Sequence, residues 1–360
     1  MDFFSELLGF EEQAIMRLRA LYRQFGYTQY KMSRFEEYGL YAENKAFLAS
    51  GDIVTFTGAS GKLMALRPDV TLSIVKNSKD GDGLKKLYYN ENVYRSDGYE
   101  FKEQMQSGLE CIGELDVYSM GEVLMLARRS LESLAGRSCL DVSHMGYIGG
   151  LFKDVDLTPE QRVELLKRVS EKNVHELRSL SAGYGLSGEF CDMIVAIAKI
   201  YGPFGEVISE LRQMSLNEEM GAALRELEDV YVVLRELGAE QGVNLDFSIV
   251  NDLSYYSGII FQGFIDGVPF KVLSGGRYDK LLRKFGKRSG AIGFAVYLDL
   301  LERLSPPHNM MEADAMLLYG SGTGHEELAR AVGALVADGK SVRVGRDIPE
   351  DIRYDRLIEM

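Results

Sequence analysis

Cysteines, histidines and long apolar runs are all scarce in this chain of 360 residues. Its three cysteines, Cys111, Cys139 and Cys191, lie far apart without a CxxC pair, so we expect reduced core thiols. The four histidines are equally scattered, which argues against a zinc site, and nothing suggests a cofactor. No apolar run approaches the roughly 20 residues that span a bilayer, and the acidic N-terminal segment lacks the basic start of a secretory signal. We therefore expect a cytoplasmic protein with no membrane partner.

Positive charge is also in short supply. The chain has 41 basic and 54 acidic residues, and its formal net charge is −13. A protein that grips a nucleic-acid backbone usually shows a basic footprint, so we expect no tRNA partner. The strongest basic run, RKFGKR at 283–288, is interpreted as a solvated loop.

Periodicity in the first half predicts alternating helices and strands. The apolar spacing of residues 11–25 predicts a helix that ends before Gly26, and residues 120–135 predict a second amphipathic helix. A short helix is expected to start at Val70, and an alternating stretch covers 103–118. Strands are predicted at 54–58, 62–66, 86–95 and 140–145, with GASG at 58–61 as the turn between the first two.

The second half begins with a change of character. Residues from about 157 to 241 are helical almost throughout, with Pro159 at a first helical position, and predict an all-α insertion. Strands are expected again at 245–251, 258–265 and 268–274, with Asp266-Gly267 as a hairpin turn. A Gly-rich strand and a helix follow at 290–304.

These patterns predict an α+β fold with two parts. An antiparallel sheet flanked by helices forms a core over residues 1–305, interrupted by the helical insertion. A Ser-Pro-Pro linker then leads to a small, truncated α/β unit over residues 311–360, with a strand at 314–319, a helix at 325–338 and a strand at 341–345. This unit has ten acidic and six basic residues, which does not suit tRNA binding.

Colinear segments between residues 10 and 304 resemble the histidyl-tRNA synthetase family. That family has the class II synthetase fold, in which an antiparallel sheet presents amino-acid and ATP sites on one face. ALRPDVT at 65–71 is similar to the family's L-R-P-E-x-T, which implies that Asp69 and Thr71 hold the ammonium group of an amino acid. From the residues alone, this segment is equally a turn in which Asp69 caps the next helix.

Residues 93–110 resemble motif two of the same family. The resemblance implies that Arg95 binds a carboxylate and an α-phosphate, and that Gln106 and Glu110 line an amino-acid pocket. Strand alternation places Gln106, Gly108 and Glu110 on one face. The alternative for Arg95 is a surface ion pair of little energetic value.

Two further segments complete the resemblance on the amino-acid side. IVNDLSYYSG at 249–258 is similar to L-V-R-G-L-D-Y-Y-T-G, and SGGRYDKL at 274–281 is similar to G-G-R-Y-D-x-L. Glu110 and Tyr256 are then expected to pair with the imidazole nitrogens of histidine. The candidate effector-binding residues are Asp69, Thr71, Arg95, Gln106, Glu110, Tyr255, Tyr256 and Tyr278.

The nucleotide side departs from the family. Asn251 stands where the family has a catalytic arginine, and Leu300 stands where motif three, G-F-x-x-G-x-E-R-L, has its arginine. Tyr297 replaces a glycine of that motif. Activation of an amino acid needs fixed positive groups aimed at the α-phosphate, and loss of one typically costs ~100- to 1,000-fold in rate. We therefore predict no catalytic residue in this chain.

A synthetase-like chain with these losses resembles the regulatory subunits of ATP phosphoribosyltransferase. The resemblance implies a non-catalytic subunit that a short-form catalytic subunit needs in the first step of histidine biosynthesis. It also implies feedback inhibition by L-histidine and a homodimer within a hetero-octamer, with residues 26–41 at the dimer interface. The regulatory histidine has two alternative sites, the candidate pocket and a subunit interface. Two other interpretations stay open: a divergent amino-acid-activating enzyme, and an amino-acid-sensing or scaffold protein.

Overall fold

A computed structural model describes residues 8–48, 53–81, 83–96, 99–250, 256–304, 313–349 and 352–360. Contacts divide the chain into two compact units, residues 1–304 and residues 305–360. The strands are β1 Thr28–Gln29, β2 Phe35–Glu37, β3 Thr55–Thr57, β4 Leu63–Leu66, β5 Lys85–Ser96, β6 Phe101–Gly113, β7 Ser138–His144, β8 Tyr201–Pro203, β9 Val243–Asp246, β10 Ile259–Ile265, β11 Leu273–Arg277, β12 Gly290–Tyr297, β13 Ala313–Leu318, β14 Val342–Gly345 and β15 Tyr354–Glu359.

Helices fill most of the remaining described residues. They are α1 Phe10–Gln24, α2 Tyr38–Ala42, α3 Val70–Asn77, α4 Val117–Leu134, α5 Met145–Leu151, α6 Pro159–Ser170, α7 Val174–Gly183, α8 Gly188–Lys199, α9 Phe204–Gln213, α10 Glu218–Glu236, α11 Asp279–Lys284 and α12 His325–Ala337, with 3₁₀ turns at Lys45–Phe47 and Leu298–Leu304. Within these residues, no helix is both long and apolar enough to cross a membrane.

A nine-stranded sheet forms the centre of the first unit, in the order β1-β5-β6-β12-β11-β10-β7-β9-β8. Its six central strands, from β5 to β7, are antiparallel to one another in successive pairs. Parallel pairing occurs where β1 joins β5 and where β9 joins β7. The predicted α+β fold with a large antiparallel sheet is therefore confirmed.

Strand alternation separates two apolar cores on opposite faces of this sheet. Leu109 and Cys111 of β6 enter the larger core, which also contains Leu18 of α1 and Leu131 of α4. Residues of α3 and α11, such as Val75 and Leu281, form the smaller core on the other face. Cys139 and Cys191 are half-buried, and all three thiols are free.

Three predicted elements need correction. The insertion is not all helical, because Tyr201–Pro203 form β8, which pairs with β9 at the sheet edge. The strand expected at 245–251 is β9, four residues long, and ends at Asp246. The strand expected at 268–274 is wrong. The turn at Asp266-Gly267 forms, but pairing with β10 resumes only near Leu273, and Pro269 has no N–H for the ladder.

The basic run at 283–288 is also more than a solvated loop. The Lys287 ammonium group donates hydrogen bonds to the Ser78 carbonyl at 2.6 Å and the Ser78 hydroxyl at 2.8 Å, and to the carbonyl of Val75. These carbonyls lie at the C-terminal end of α3, where backbone acceptors lack partners within the helix. Lys287 therefore caps α3 from a distant part of the chain.

The second unit is a three-stranded parallel sheet in the order β14-β13-β15, with α12 between β13 and β14 in the chain. Strand β15 was not predicted from the sequence. Its residues, YDRLIE, mix charged and apolar side chains, and its strand structure depends on pairing with β13.

Candidate functional site

A cavity of about 530 Å³ opens on the sheet face that carries the smaller core. Strands β5, β6, β11 and β12 form its floor, and the start of α3 forms one wall. Several polar groups converge on it, as expected of a ligand site. The polar and aromatic lining residues are Phe47, Asp69, Thr71, Tyr89, Arg95, Gln104, Gln106, Glu110, Tyr256, Phe270, Lys271, Ser274, Tyr278, Phe294, Tyr297 and Asp299.

Glu110 is the most enclosed acid of this cavity, with 2% of its surface exposed. Its carboxylate accepts a hydrogen bond from the Thr71 hydroxyl at 2.8 Å and one from the Tyr278 hydroxyl at 2.5 Å. Gly293 of β12 pairs with Glu110 across the sheet, and a Cβ there would lie 1.8 Å from Oε2 of Glu110. The glycine therefore leaves the space that the carboxylate occupies.

Burial raises the pKa of Glu110 to about 8, against the lowering effect of the bonds from Tyr278 and Thr71. The Asp69 carboxylate nearby contributes to this rise in the pKa. At neutral pH this group is therefore largely protonated in the cavity. A ligand that brings a cation or an N–H donor would favour the carboxylate form.

Asp69 both caps helix α3 and lines the cavity. Its Oδ1 accepts the backbone N–H of Leu72 at 2.8 Å, which caps α3. Its side chain also lines the cavity. Burial raises the pKa of Asp69, while the Leu72 N–H and the charge of Arg95 lower it.

Arg95 and Gln106 present polar groups to the cavity without internal partners. Gln106 is 5% exposed, and Arg95 is half-buried at the end of β5. Neither side chain is hydrogen-bonded or ion-paired to another residue in the described part of the chain, so the surface ion pair considered for Arg95 is absent there. Unpartnered buried polar groups are costly unless a ligand or water meets them.

Two tyrosines, Tyr256 and Tyr278, also line the cavity. Tyr278 is 2% exposed and follows β11, and Tyr256 lies against Gly276 of the same strand. A Cβ at Gly276 would lie 2.7 Å from the Tyr256 ring. Seven of the eight candidate effector-binding residues therefore surround one cavity. The eighth, Tyr255, lies outside the described residues, as do Asn251 and Ser254.

The structure adds lining residues that the sequence did not single out, including Gln104, Phe270 and Lys271. Lys271 was not predicted to line the cavity, because residues 268–274 were expected to form a regular strand. Tyr297 and Leu300 line the cavity, as substitutions at motif-three positions. The basic side chains among the described lining residues are Arg95 and Lys271, against the three acids Asp69, Glu110 and Asp299.

The described residues hold no group of three or more histidine, cysteine or acidic side chains that could bind a metal ion. The antiparallel sheet and its polar cavity together define a chain of the class II aminoacyl-tRNA synthetase type. The family model of histidyl-tRNA synthetase matches residues 6–301.

Curated relatives show which family within this class the chain belongs to. An ATP phosphoribosyltransferase regulatory subunit from Caldanaerobacter subterraneus subsp. tengcongensis is 30% identical over 306 residues, 83% of this chain and 79% of the relative. Another from Oceanobacillus iheyensis is 29% identical over 314 residues, 85% of this chain and 77% of the relative. The chain belongs to the family of ATP phosphoribosyltransferase regulatory subunits, within the histidyl-tRNA synthetase-like proteins.

Solved structures agree on the fold. The ATP phosphoribosyltransferase regulatory subunit/histidyl-tRNA synthetase from Bacillus halodurans C has a TM-score of 0.80 at 25% identity, covering 97% of this chain and 93% of that chain. A chain of the ATP phosphoribosyl transferase (HisG:HisZ) complex from Thermotoga maritima has a TM-score of 0.63 at 19% identity, covering 82% and 98%. The latter likeness concerns the fold alone.

Proposed function

We propose that this chain is a non-catalytic subunit that a short-form ATP phosphoribosyltransferase catalytic subunit needs for activity, and that L-histidine bound in the cavity inhibits the complex. The observation that carries the proposal is an asymmetry of the cavity. Its amino-acid end keeps seven matching polar and aromatic residues, whereas Leu300 stands at a position where activation chemistry needs a cation. The names of the curated relatives support the assignment to histidine biosynthesis.

The geometry suggests how L-histidine is held. The Arg95 guanidinium takes the α-carboxylate, and Asp69 takes the ammonium group. The Thr71 hydroxyl donates its hydrogen to Glu110, so its lone pairs are available to the ammonium group. Glu110 and Tyr256 meet the imidazole nitrogens, and Gln106 adds an amide partner.

The assembly is part of the proposal. We propose a homodimer, through residues 26–41, within a hetero-octamer that works in the cytoplasm and has no tRNA partner. The T. maritima structure supports a place in such a complex, because a chain of the same fold is found there in an ATP phosphoribosyl transferase complex. Histidine would inhibit by binding one arrangement of the assembly better than another, and a coupling of ~1–3 kcal/mol suffices.

Co-purification with a short-form catalytic subunit and an assay of phosphoribosyl-ATP formation test the role in the complex. We expect activity to require this chain and to fall as L-histidine is added. Calorimetry with L-histidine, on the chain alone and on the complex, tests the cavity. Absence of binding in both would refute the effector role.

Histidine-dependent exchange of pyrophosphate into ATP tests the enzymatic alternative. We expect no exchange above background, because Leu300 supplies no charge to an α-phosphate and Tyr297 occupies space in the cavity that adenine or ribose would need. Robust exchange would show that Lys271 or another cation replaces the missing arginines, and it would overturn the proposal.

A further inference from the structure

We propose that Glu226, on helix α10 of the insertion, is a positioning residue for the effector cavity and acts through Arg277 on Tyr278. Glu226 is not among the residues that line the cavity. This inference rests on the function proposed above, since it concerns how the same cavity is held ready for its ligand.

A chain of hydrogen-bonded side chains links four elements of the fold. The Nδ1 atom of His144 accepts the N–H of Gly146 at 3.1 Å, so Nε2 carries the hydrogen and donates it to Glu226 Oε1 at 3.1 Å. The other oxygen of Glu226 accepts a bond from the Arg277 guanidinium at 3.2 Å. Helix α10 is thus tied to the end of β7 on one side and to β11 on the other.

Arg277 passes this connection to the residues around Tyr278. Its Nε atom donates to Asp279 Oδ2 at 2.9 Å, and Asp279 Oδ1 accepts the N–H of Ala291 at 3.0 Å. The N–H of Tyr278 donates to the carbonyl of Ala291 at 2.8 Å. Tyr278 therefore stands inside a closed set of bonds between β11, α11 and β12, and its hydroxyl reaches Glu110 from there.

Gly258 leaves room for the ion pair between Glu226 and Arg277. A Cβ at Gly258 would lie 3.2 Å from Cδ of Arg277 and 3.3 Å from Oε1 of Glu226, so only a glycine fits there without displacing them. Burial raises the pKa of Glu226, but the bond from His144 and the charge of Arg277 outweigh it, and the pKa lies below its ordinary value. Glu226 is therefore ionised and pairs with Arg277 as a carboxylate.

Loss of Glu226 should make the position of Tyr278 less well defined. Without Glu226, the guanidinium of Arg277 keeps Asp279 but loses its anchor on α10, so the bonds that orient Tyr278 have fewer constraints. A tyrosine that must donate to Glu110 at 2.5 Å tolerates little displacement. Ligand affinity should fall although no residue that lines the cavity has changed.

A double-mutant cycle on the full-length chain, with L-histidine affinity measured by calorimetry, tests the proposal. We expect Glu226→Ala to weaken binding by about tenfold. The same change made in a Tyr278→Phe chain should weaken binding by no more than about threefold, because the hydroxyl that Glu226 helps to place is already absent. Glu226→Gln, which keeps the size of the side chain and one of its two bonds, should give an intermediate loss.

The matched control is Glu228→Ala on the same helix, which removes an exposed ion pair with Arg212. It should leave the affinity within about twofold of the unmodified chain. Unchanged affinity in Glu226→Ala, or an equal loss with and without the Tyr278 hydroxyl, would overturn this inference alone. Absence of histidine binding by the unmodified chain, alone and in the complex, would overturn the proposed function and this inference with it.

Discussion

At the scale of single residues, the buried acid Glu110 connects the polar groups of the cavity. Glu110 receives hydrogen bonds from Thr71 and Tyr278, and its carboxylate occupies the space left by Gly293. Ionisation of a buried acid lowers the stability of the fold, and a bound ligand that pairs with the carboxylate offsets this loss. Effector binding and pH-dependent stability should therefore both respond to changes at this residue.

Glu110→Gln should change how stability depends on pH. The pKa of Glu110 rises from an ordinary 4.5 to about 8 on folding, so the folded chain binds more protons than the unfolded chain between these values. Stability from this group is full below pH 4.5 and is lost as the pH rises toward 8 and beyond. Between pH 5 and pH 9, the unmodified chain should therefore lose roughly 2–5 kcal/mol of unfolding free energy through this group. Glu110→Gln lacks this loss, so the difference in unfolding free energy between the variant and the unmodified chain should rise by the same amount.

Urea unfolding of both chains at several pH values provides the measurement. The difference between the two chains is the relevant quantity, since other groups titrate equally in both. A difference that stays constant between pH 5 and pH 9 would contradict the assignment of a raised pKa to Glu110.

Gly293→Ala tests the space beside this carboxylate. The new Cβ would lie 1.8 Å from Glu110 Oε2 and 2.4 Å from the backbone oxygen of Leu109, so strand or side chain must move. We expect a loss of roughly 1–3 kcal/mol in unfolding free energy, together with weaker histidine binding. Gly188→Ala, at the start of α8 with no atom within 4 Å of the added carbon, is the control and should stay within ~0.5 kcal/mol. Equal effects of the two changes would refute the steric argument.

At the scale of elements, helix α3 is held at both ends. Asp69 caps its N-terminal end beside the cavity, and Lys287 bonds its C-terminal carbonyls. Lys287→Met keeps the apolar length of the side chain but removes its three donors. We expect a loss of roughly 1–3 kcal/mol in unfolding free energy, because the Ser78 carbonyl loses its Lys287 donor and the Val75 carbonyl and the Ser78 hydroxyl each lose one of their bonds. Arg283→Met, an exposed change in the same basic run, should have little effect, and a similar loss there would point to charge instead of capping.

Elements were predictable where one local pattern decided the outcome. The helix before Gly26, the hairpin of β3 and β4 and the alternation of β6 follow from spacing and turn chemistry. Prediction failed where pairing elsewhere in the chain decides. Strand β8 exists because β9 offers it an edge, and β15 because β13 does. The departure of residues 268–272 from the sheet accords with Pro269, which has no N–H for the ladder, and pairing with β10 begins only where Leu273 lies opposite Gly263.

At the scale of the whole molecule, residues far apart in the sequence meet in one cavity. The motifs that resemble synthetases identified Asp69, Arg95, Glu110 and Tyr278 without knowledge of the fold, and the sheet order explains why they meet. Lys271 and Glu226 belong to no such motif, although Arg277, the partner of Glu226, lies in SGGRYDKL at 274–281. Both depend on tertiary placement, which the spacing of residues in one sequence does not encode.

The most direct test of the central claim is the histidine inhibition curve of the complex with a short-form catalytic subunit, measured for the unmodified chain and for Arg95→Gln. Loss of a charge-assisted contact with the α-carboxylate should raise the half-inhibiting concentration of L-histidine by roughly 10- to 100-fold. Inhibition at the same concentration in both complexes would show that histidine acts elsewhere, and it would contradict the claim that this cavity is the effector site.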